Sequence, residues 1–300
     1  MALTVNDIYM EVRRALKRAD ISMPELEARE LTAFVCGADK KRHADWGYRY
    51  LDDETVARAR ALTERRLNGE PLAYLIGEWD FYGLTFLVTP DVLIPRSDTE
   101  PLCEQAIARA QAIVCPRVLD LCCGSGCIGV ALLHAVDDAR VFAADVSEAA
   151  LTVARENARR LGVSGRFFGV RADALGQPPE QLQGFHMMVC NPPYITGPEM
   201  AALDRSVADY EPHLALYGGA DGLDFYRAIA AHWTGVMLPG GTMFFECGWK
   251  QAAQVASLFE EAGFMDIVIE EDYAGVRRVV VVRIPGDEQV FDSRLQNPRG

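Results

Sequence analysis

Apolar residues recur at helical spacing through the first 70 residues and in short strand-length runs from about residue 117 onward. Val5, Ile8, Tyr9, Val12 and Leu16 share one face of a helix expected from Val5 to Ala19. Met23-Pro24-Glu25 opens a second, which carries Leu26, Leu31, Phe34 and Val35 and stops at Gly37. Asp52-Asp53-Glu54 puts acids at the start of a third, ending near Asn68-Gly69. The stretch from Trp79 to Val88 predicts a β-hairpin turning near Gly83. Ser97-Asp98-Thr99-Glu100 has the spacing of a capping box and opens a helix to about Ile113. Pro101 is tolerated there, because first-turn N–H groups have no helical partner.

Beyond Arg117 the pattern alternates. Strands are expected at Arg117–Leu121, Arg140–Ala144, Arg166–Val170, Met187–Cys190 and Gly241–Glu246. Helices are expected at Ile128–Ala135, Glu148–Leu161, Asp224–Met237 and Gln251–Ala262. Alternation of this kind predicts an α/β fold: a doubly wound, mostly parallel sheet with helices on both faces. The last two runs, Met265–Glu270 and Arg277–Arg283, are joined too briefly for a parallel crossover, so they must form an antiparallel hairpin. The expected organisation is a helical module over 1–70, a β-hairpin linker over 71–100, a parallel-sheet domain over 101–285 and a loose polar tail over 286–300.

Composition narrows the class. Half of the 300 residues are apolar, which marks a globular chain rather than a disordered one. No apolar run is long enough to span a membrane, and the first residues lack the basic-then-apolar pattern of a signal peptide. Eight cysteines fall mostly in expected strands and tight turns, where Cys acts as a small hydrophobe, and this suits a reducing cytoplasm. Cys122, Cys123 and Cys127 lack paired C-x-x-C spacing and a nearby His, so packing is favoured and no metal is expected. Residues 1–70 carry 13 basic and 13 acidic side chains, so residues 71–300 hold the whole net charge of −13. A domain this acidic repels a phosphate backbone, which argues against a nucleic acid as substrate.

Val118-Leu119-Asp120-Leu121-Cys122-Cys123-Gly124-Ser125-Gly126-Cys127-Ile128-Gly129 reads as a strand, a glycine-rich turn and a helix start. Gly124, Gly126 and Gly129 fit G-x-G-x-x-G, a weak signal alone, and glycine lets the backbone approach a bound nucleoside closely. Asp145 ends the next strand, where a carboxylate typically grips ribose hydroxyls. A dinucleotide would rest its pyrophosphate on the helix N-terminus. A phosphate-free cofactor such as S-adenosylmethionine would instead place a sulfonium and an amino group near acids. Asp120, at the strand end, favours the second, since it repels pyrophosphate and attracts a cation; its plain reading is a loop-anchoring hydrogen bond to backbone N–H groups, and the two roles are compatible. Asp173-Ala174, after the third strand, are candidates for the adenine, with an ordinary loop as the alternative.

The apolar run Phe185-His186-Met187-Met188-Val189-Cys190 stops at Asn191-Pro192-Pro193-Tyr194. Neither proline has an N–H to continue a strand, so the backbone ends and stiffens where open α/β sheets bind their ligands. Asn191 and Tyr194 flank a rigid pair of carbonyls, a device for holding a planar hydrogen-bonding group such as an amide or a base-edge amine.

Together with Gly69-Glu70-Pro71-Leu72-Ala73-Tyr74-Leu75-Ile76-Gly77, Leu93-Ile94-Pro95-Arg96-Ser97-Asp98-Thr99-Glu100 and Gly218-Gly219-Ala220-Asp221-Gly222-Leu223-Asp224-Phe225-Tyr226-Arg227, these segments resemble the class I methyltransferases. More closely, they resemble the protein-(glutamine-N5) methyltransferases that modify peptide chain release factors, over about residues 1–285. Asn-Pro-Pro-Tyr alone is shared with adenine-N6 DNA methyltransferases. A sister family methylates a glutamine of a large-subunit ribosomal protein, and Asp98-Thr99-Glu100 points away from it. The resemblance implies S-adenosylmethionine as cofactor, with contacts at Cys122, Cys123, Gly124, Ser125, Gly126, Asp145 and Asn191. It also implies a glutamine of a Gly-Gly-Gln loop as acceptor, and a groove bordered by Glu211-Pro212. On that basis Asn191 Oδ1 and the Pro192 carbonyl are expected to take the two amide hydrogens, Pro193 to stiffen the turn and Tyr194 to pack on the amide. Arg96 either organises its own turn or faces the substrate. Two departures stand out: Cys122 occupies a position usually held by Gly, and Ala174 one where some members carry Trp.

Two other classes remain from sequence, an adenine methyltransferase acting on nucleic acid and a binding module without chemistry. The charge split counts against the first and the intact Asn191–Tyr194 segment against the second.

Overall fold

The computed structural model describes residues 2–38 and 47–286; the tail expected over 286–300 lies, beyond Gly286, outside them. Two compact units form: Met1–Glu78 with Asp204–Tyr210, and Trp79–Leu203 with Glu211–Gly300.

The first unit packs helices Val5–Arg18, Pro24–Cys36 and Asp53–Leu67. Thr4 caps the first: its hydroxyl accepts from Asp7 N at 3.2 Å, and Asp7 Oδ2 accepts from Thr4 N at 2.8 Å. Val5, Ile8, Val12 and Leu16 are the buried stripe of that helix. Gly37 closes the second helix in the left-handed region at φ 58°. Arg66 joins the second and third helices through a bidentate pair with Glu27 at 2.6 and 3.0 Å. Asp204–Tyr210, far along the chain, joins this unit, and the Tyr210 hydroxyl donates to Asn68 O at 3.3 Å.

In the second unit β1 (Glu78–Phe81) and β2 (Leu84–Leu87) form the expected hairpin. Tyr82 and Gly83 both have positive φ, 49° and 75°, as a two-residue type I′ turn requires. The main sheet has seven strands: β3 (Arg117–Leu121), β4 (Arg140–Asp145), β5 (Phe167–Arg171), β6 (Phe185–Cys190), β7 (Met237–Glu246), β8 (Ile267–Glu271) and β9 (Arg277–Arg283). Their spatial order is β5-β4-β3-β6-β7-β9-β8. Strands β3 to β7 run parallel, and β9 pairs antiparallel with both β7 and β8. Apolar layers cover both faces: helices Glu100–Gln111, Cys127–Ala135 and Glu148–Arg160 pack on one, Asp224–His232 and Ala252–Glu261 on the other. The expected doubly wound sheet with a terminal antiparallel hairpin is therefore the observed one.

Three local expectations are corrected. Ser97 does not cap a helix: Ser97–Thr99 is a 3-10 turn, and Glu100 accepts from Tyr82 N at 2.9 Å instead of reaching back to its own turn. The helix from Asp224 ends at His232. Strand β7 begins at Met237, which pairs with Phe185, and a register shift before Met187↔Thr242 takes up Pro239-Gly240-Gly241.

One buried side chain joins three elements. Asn157 sits on the apolar face of the helix Glu148–Arg160, fully buried. Its Oδ1 accepts from Leu87 N at 2.7 Å, and its Nδ2 donates to Leu87 O at 3.0 Å and Ser125 O at 2.9 Å. Asn157→Ala leaves backbone groups of β2 and the glycine loop unpartnered, so a urea unfolding curve is expected to show a loss of about 2–4 kcal/mol. A loss below about 0.5 kcal/mol, the range of a plain surface change, contradicts this role.

Candidate active site

Strands β3 and β6 are neighbours at the centre of the sheet, with Leu121 opposite Cys190. Their C-terminal ends therefore release the glycine loop and Asn191-Pro192-Pro193-Tyr194 side by side. The glycine loop turns through three left-handed positions, Cys122 at φ 60°, Gly124 at 52° and Gly126 at 75°. Cys122 thus keeps the backbone conformation that favours glycine, at the strain a side chain brings there. Asp145, at the end of β4, pins the loop: one carboxylate oxygen accepts from Gly124 N and the other from Ser147 N, both at 2.9 Å. A side chain at Gly124 would meet nothing within 4 Å, so that peptide faces open space.

That space is a cavity of about 230 Å³. Of the residues expected from sequence, Arg96, Cys122, Cys123, Gly124, Ser125, Asp145, Asp173, Ala174, Asn191 and Pro193 line it. Four do not. Asp120 lies behind the loop, 1% exposed, on the face of β3 that meets the helix Cys127–Ala135, where its Oδ2 accepts from Gly129 N at 3.0 Å. This is a backbone hydrogen bond of the kind its anchoring role requires, made in the first turn of that helix. Gly126 is turned away against the helix Glu148–Arg160; a Cβ there would lie 3.0 Å from Ala154 Cβ and 3.3 Å from the Phe167 ring. Pro192 is buried between the two lining residues Asn191 and Pro193. Tyr194 points to Glu246 rather than into the cavity, donating to Oε1 at 3.2 Å.

Sequence reasoning missed Thr99 and Phe225 as lining residues, although both lie in segments that carried the resemblance. Thr99 Oγ1 accepts from Asn191 Nδ2 at 3.2 Å. With its amino group held this way, Asn191 is left with a free carbonyl oxygen at the cavity wall. The Tyr194 carbonyl accepts from Gln251 Nε2 at 3.0 Å. Gly218 and Gly222 pack on the same turn: a Cβ on Gly218 would lie 2.6 Å from Pro193 O, and one on Gly222 2.3 Å from Tyr194 O. The strand end is thus clamped from outside as well as stiffened by its prolines.

The lining is acidic. Asp91, Asp145 and Asp173 face one cation, Arg96, and its guanidinium is engaged by buried Glu211 at 2.5 Å. Arg96 holds Glu211, which also accepts from Ile94 N at 3.2 Å, and Arg96 also lines the cavity. Pro212 lines it too. Burial pushes the Glu246 carboxyl up, opposed by the Thr99 hydroxyl, Arg278 and Tyr194. Burial, reinforced by Glu246, likewise raises the Tyr194 phenol. Burial drives the Cys127 thiol up to about 12. Among the described residues no group of three or more His, Cys, Asp or Glu could hold a metal ion, and no helix is long and apolar enough to cross a membrane.

Two family models match the chain: the PrmC N-terminal domain over residues 7–77 and the methyltransferase small domain over 107–218. The release factor glutamine methyltransferase of Geobacter sulfurreducens is 38% identical over 282 residues, 94% of this chain and 97% of that protein. That of Bordetella pertussis is 40% identical over 261 residues, 87% and 95%. The chain belongs to the release factor glutamine methyltransferase family. Among solved structures, the hMettl16 catalytic domain in complex with MAT2A 3'UTR hairpin 6 aligns with a TM-score of 0.51 at 16% identity, covering 79% of this chain and 84% of that one. At that identity the match bears on the fold alone, which is the methyltransferase α/β sheet. The family and fold expected from the sequence are both met.

In this family member the anchoring carboxyl of Asp120 has a thermodynamic signature. Burial pushes it up to about 7, against the pull of the Gly129 N–H and with a further push from Asp145. Between the ordinary Asp value and about 7 the folded state holds a proton that the unfolded chain has lost, so this group's stabilising contribution is full at acid pH and falls as pH rises. Asp120→Asn can keep the bond to Gly129 and does not titrate. Relative to wild type, its stability is expected to improve from pH 4 to pH 8, by at most about 4 kcal/mol, in paired denaturant curves. A difference that stays flat with pH would show that Asp120 titrates at its ordinary value.

Proposed function

We propose that this protein transfers a methyl group from S-adenosylmethionine to the side-chain amide nitrogen, N5, of the glutamine in the Gly-Gly-Gln motif of peptide chain release factors. The observation that carries the reading is the polarity of Asn191: its amino group is committed to Thr99, and its carbonyl oxygen is free at the wall of an acidic cavity. An acceptor in that position suits a neutral group that donates N–H, and the relatives' shared name identifies such a group as glutamine.

The donor end fits S-adenosylmethionine better than a dinucleotide. Three carboxylates and one engaged arginine line the cavity, and the Gly129 N–H near the helix start is already taken by Asp120. This favours a sulfonium and an ammonium and disfavours a diphosphate. Bound there, S-adenosylmethionine supplies an electrophilic methyl. Asp145, whose carboxylate also accepts from Gly124 N and Ser147 N and lines the cavity, would take the ribose hydroxyls. Cys122, Cys123, Gly124 and Ser125 cradle the cofactor, and Asp173 and Ala174 border the adenine.

An amide nitrogen is a weak nucleophile because its lone pair is delocalised into the carbonyl. Orientation is therefore the main task. Asn191 Oδ1 and the Pro192 backbone oxygen take the two amide hydrogens, which turns the lone-pair face of nitrogen toward the donor. Proximity and alignment of this kind are worth up to about 7–11 kcal/mol in the best intramolecular cases. Charge developing on nitrogen is stabilised by the same two oxygens. The proton leaves after transfer, so no side-chain base is needed beforehand. Tyr194 holds the turn from behind, Pro193 walls the cavity, and Arg96 faces the substrate side. The helical unit grips the protein substrate outside its glutamine loop. The eight free cysteines suit a reducing cytoplasm.

Asn191→Ala is expected to lower the rate of methyl transfer by roughly 10²-fold or more, measured with labelled methyl donor and purified release factor. Cofactor affinity by calorimetry should stay close to wild type, since the loop that holds it is untouched. Near-normal turnover in this variant removes Asn191 from the mechanism.

A further inference from the structure

Gln251 is buried, 8% exposed, and does not line the cavity. It stands at the start of the helix Ala252–Glu261, and its oxygen serves that turn. Gly248 N donates to Gln251 Oε1 at 2.9 Å, and Gln251 N donates to Gly248 O at 2.9 Å. Capping of this kind requires nothing of the side-chain amino group. Nε2 nevertheless leaves its own turn for two other segments. It donates to Tyr194 O at 3.0 Å, across 57 residues of sequence, and reaches Asp221 O at 3.4 Å and Gly222 O at 3.5 Å. One N–H on one side and three carbonyls on the other leave the amide a single orientation. Two glycines make room for it. A Cβ on Gly248 would lie 2.6 Å from Gln251 Oε1, and one on Gly222 2.3 Å from both Gln251 Nε2 and Tyr194 O.

The reach to Tyr194 meets a specific need. Pro192 and Pro193 fix their own φ, whereas Tyr194 has no ring to fix its torsions, so the stiffness that the prolines impose ends at that residue. The second segment runs from Gly222 into the helix Asp224–His232, whose Phe225 lines the cavity. We propose that Gln251 is a positioning residue for methyl transfer, which ties the Asn191–Tyr194 turn to the loop before Phe225 and so fixes two walls of the acceptor side. Without this bond the Tyr194 peptide is free to rotate. Its displacement then passes back to the Pro192 carbonyl and Asn191, because locked proline torsions transmit a movement rather than absorb it. A misplacement of about 1 Å at the reacting group is enough to cost about 10²-fold in rate. The effect on rate rests on the proposed amide acceptor, while the hold on Asn191 is measurable without any substrate.

Three variants of the full chain test it. Gln251→Met fills the space without polar atoms. Gln251→Glu keeps an oxygen for Gly248 N and sets a second one against the three carbonyls. Gly222→Ala leaves Gln251 in place and drives a methyl between Nε2 and Tyr194 O. Each is expected to lower kcat about tenfold or more, with KM for the release factor and the calorimetric Kd for S-adenosylmethionine within about threefold of wild type. A residue that served the helix cap alone would lower stability and leave kcat of the folded protein unchanged. In ¹H–¹⁵N spectra the Asn191 side-chain amide, assigned by its loss in Asn191→Asp, should exchange with solvent faster in Gln251→Met and Gly222→Ala than in wild type, since the turn that holds it to Thr99 is loosened. Wild-type kcat in folded Gln251→Met or Gln251→Glu, a loss carried by KM or Kd rather than kcat, or unchanged exchange of the Asn191 amide would overturn the proposal. If wild-type protein moves no methyl to release-factor glutamine, the amide-acceptor reading fails by itself, and the exchange comparison still decides whether Gln251 holds Asn191.

Discussion

The site depends on one constraint, the pairing of β3 and β6 as parallel neighbours with Leu121 opposite Cys190. Strand order reverses around this pair, since β4 and β5 follow outward from β3 and β7 follows from β6. The gap that opens at such a switch point is where open α/β sheets bind ligands. Here the two strands end in opposite ways. After Leu121 the backbone takes three left-handed positions and makes room for a cofactor; after Cys190 two prolines end the ladder and hold Asn191 still. A one-residue slip of β6 would send Asn191 to the other face of the sheet, so the register that stabilises the core also aims the chemistry.

Electrostatics around this gap run against stability. Asp120 Oδ1 and Glu246 Oε2 are buried without hydrogen-bond partners among the described residues, at a cost of about 1–3 kcal/mol for each unsatisfied group. Both lie within a residue of the C-terminal end of a strand. Their placement has a common sense. Asp120 takes the Gly129 N–H in the first turn of the helix Cys127–Ala135, and Glu246 accepts from the Tyr194 hydroxyl behind the Asn191–Tyr194 turn. The acidic excess of residues 71–300 is thus an attribute of the donor site as well as of the surface.

Periodicity made most of the fold legible. The stripe Val5-Ile8-Val12-Leu16, the alternation after Arg117 and the short final connection each have one physical reading, and each appears in the structure. The errors fall where a partner is distant in sequence. Glu100 has the spacing of a capping box, yet its partner is Tyr82 N, eighteen residues earlier across the hairpin. The sequence offers Asp120 two compatible roles, and its bond to Gly129 N is seen only once β3 is in place. Strand β7 starts early because Met237 finds Phe185 beyond an irregular Pro-Gly-Gly stretch that local propensity marks as loop. Asn157 did carry a readable sign, a polar residue on the apolar face with Leu151, Ala154 and Ala158, and buried amides at such positions need partners. Thr99 carried none beyond its place in a segment that sets this family apart.

The central claim is that the stiff end of β6 presents a neutral glutamine amide to a methyl donor held in the neighbouring loop. The most direct measurement is to incubate the protein and methyl-labelled S-adenosylmethionine with purified release factors and, separately, with large-subunit ribosomal proteins, and to locate each added methyl by tandem mass spectrometry. The account predicts a single methyl on the side-chain nitrogen of the glutamine in the release factor's Gly-Gly-Gln loop. A methyl found only on the ribosomal protein, or on no glutamine at all, contradicts it.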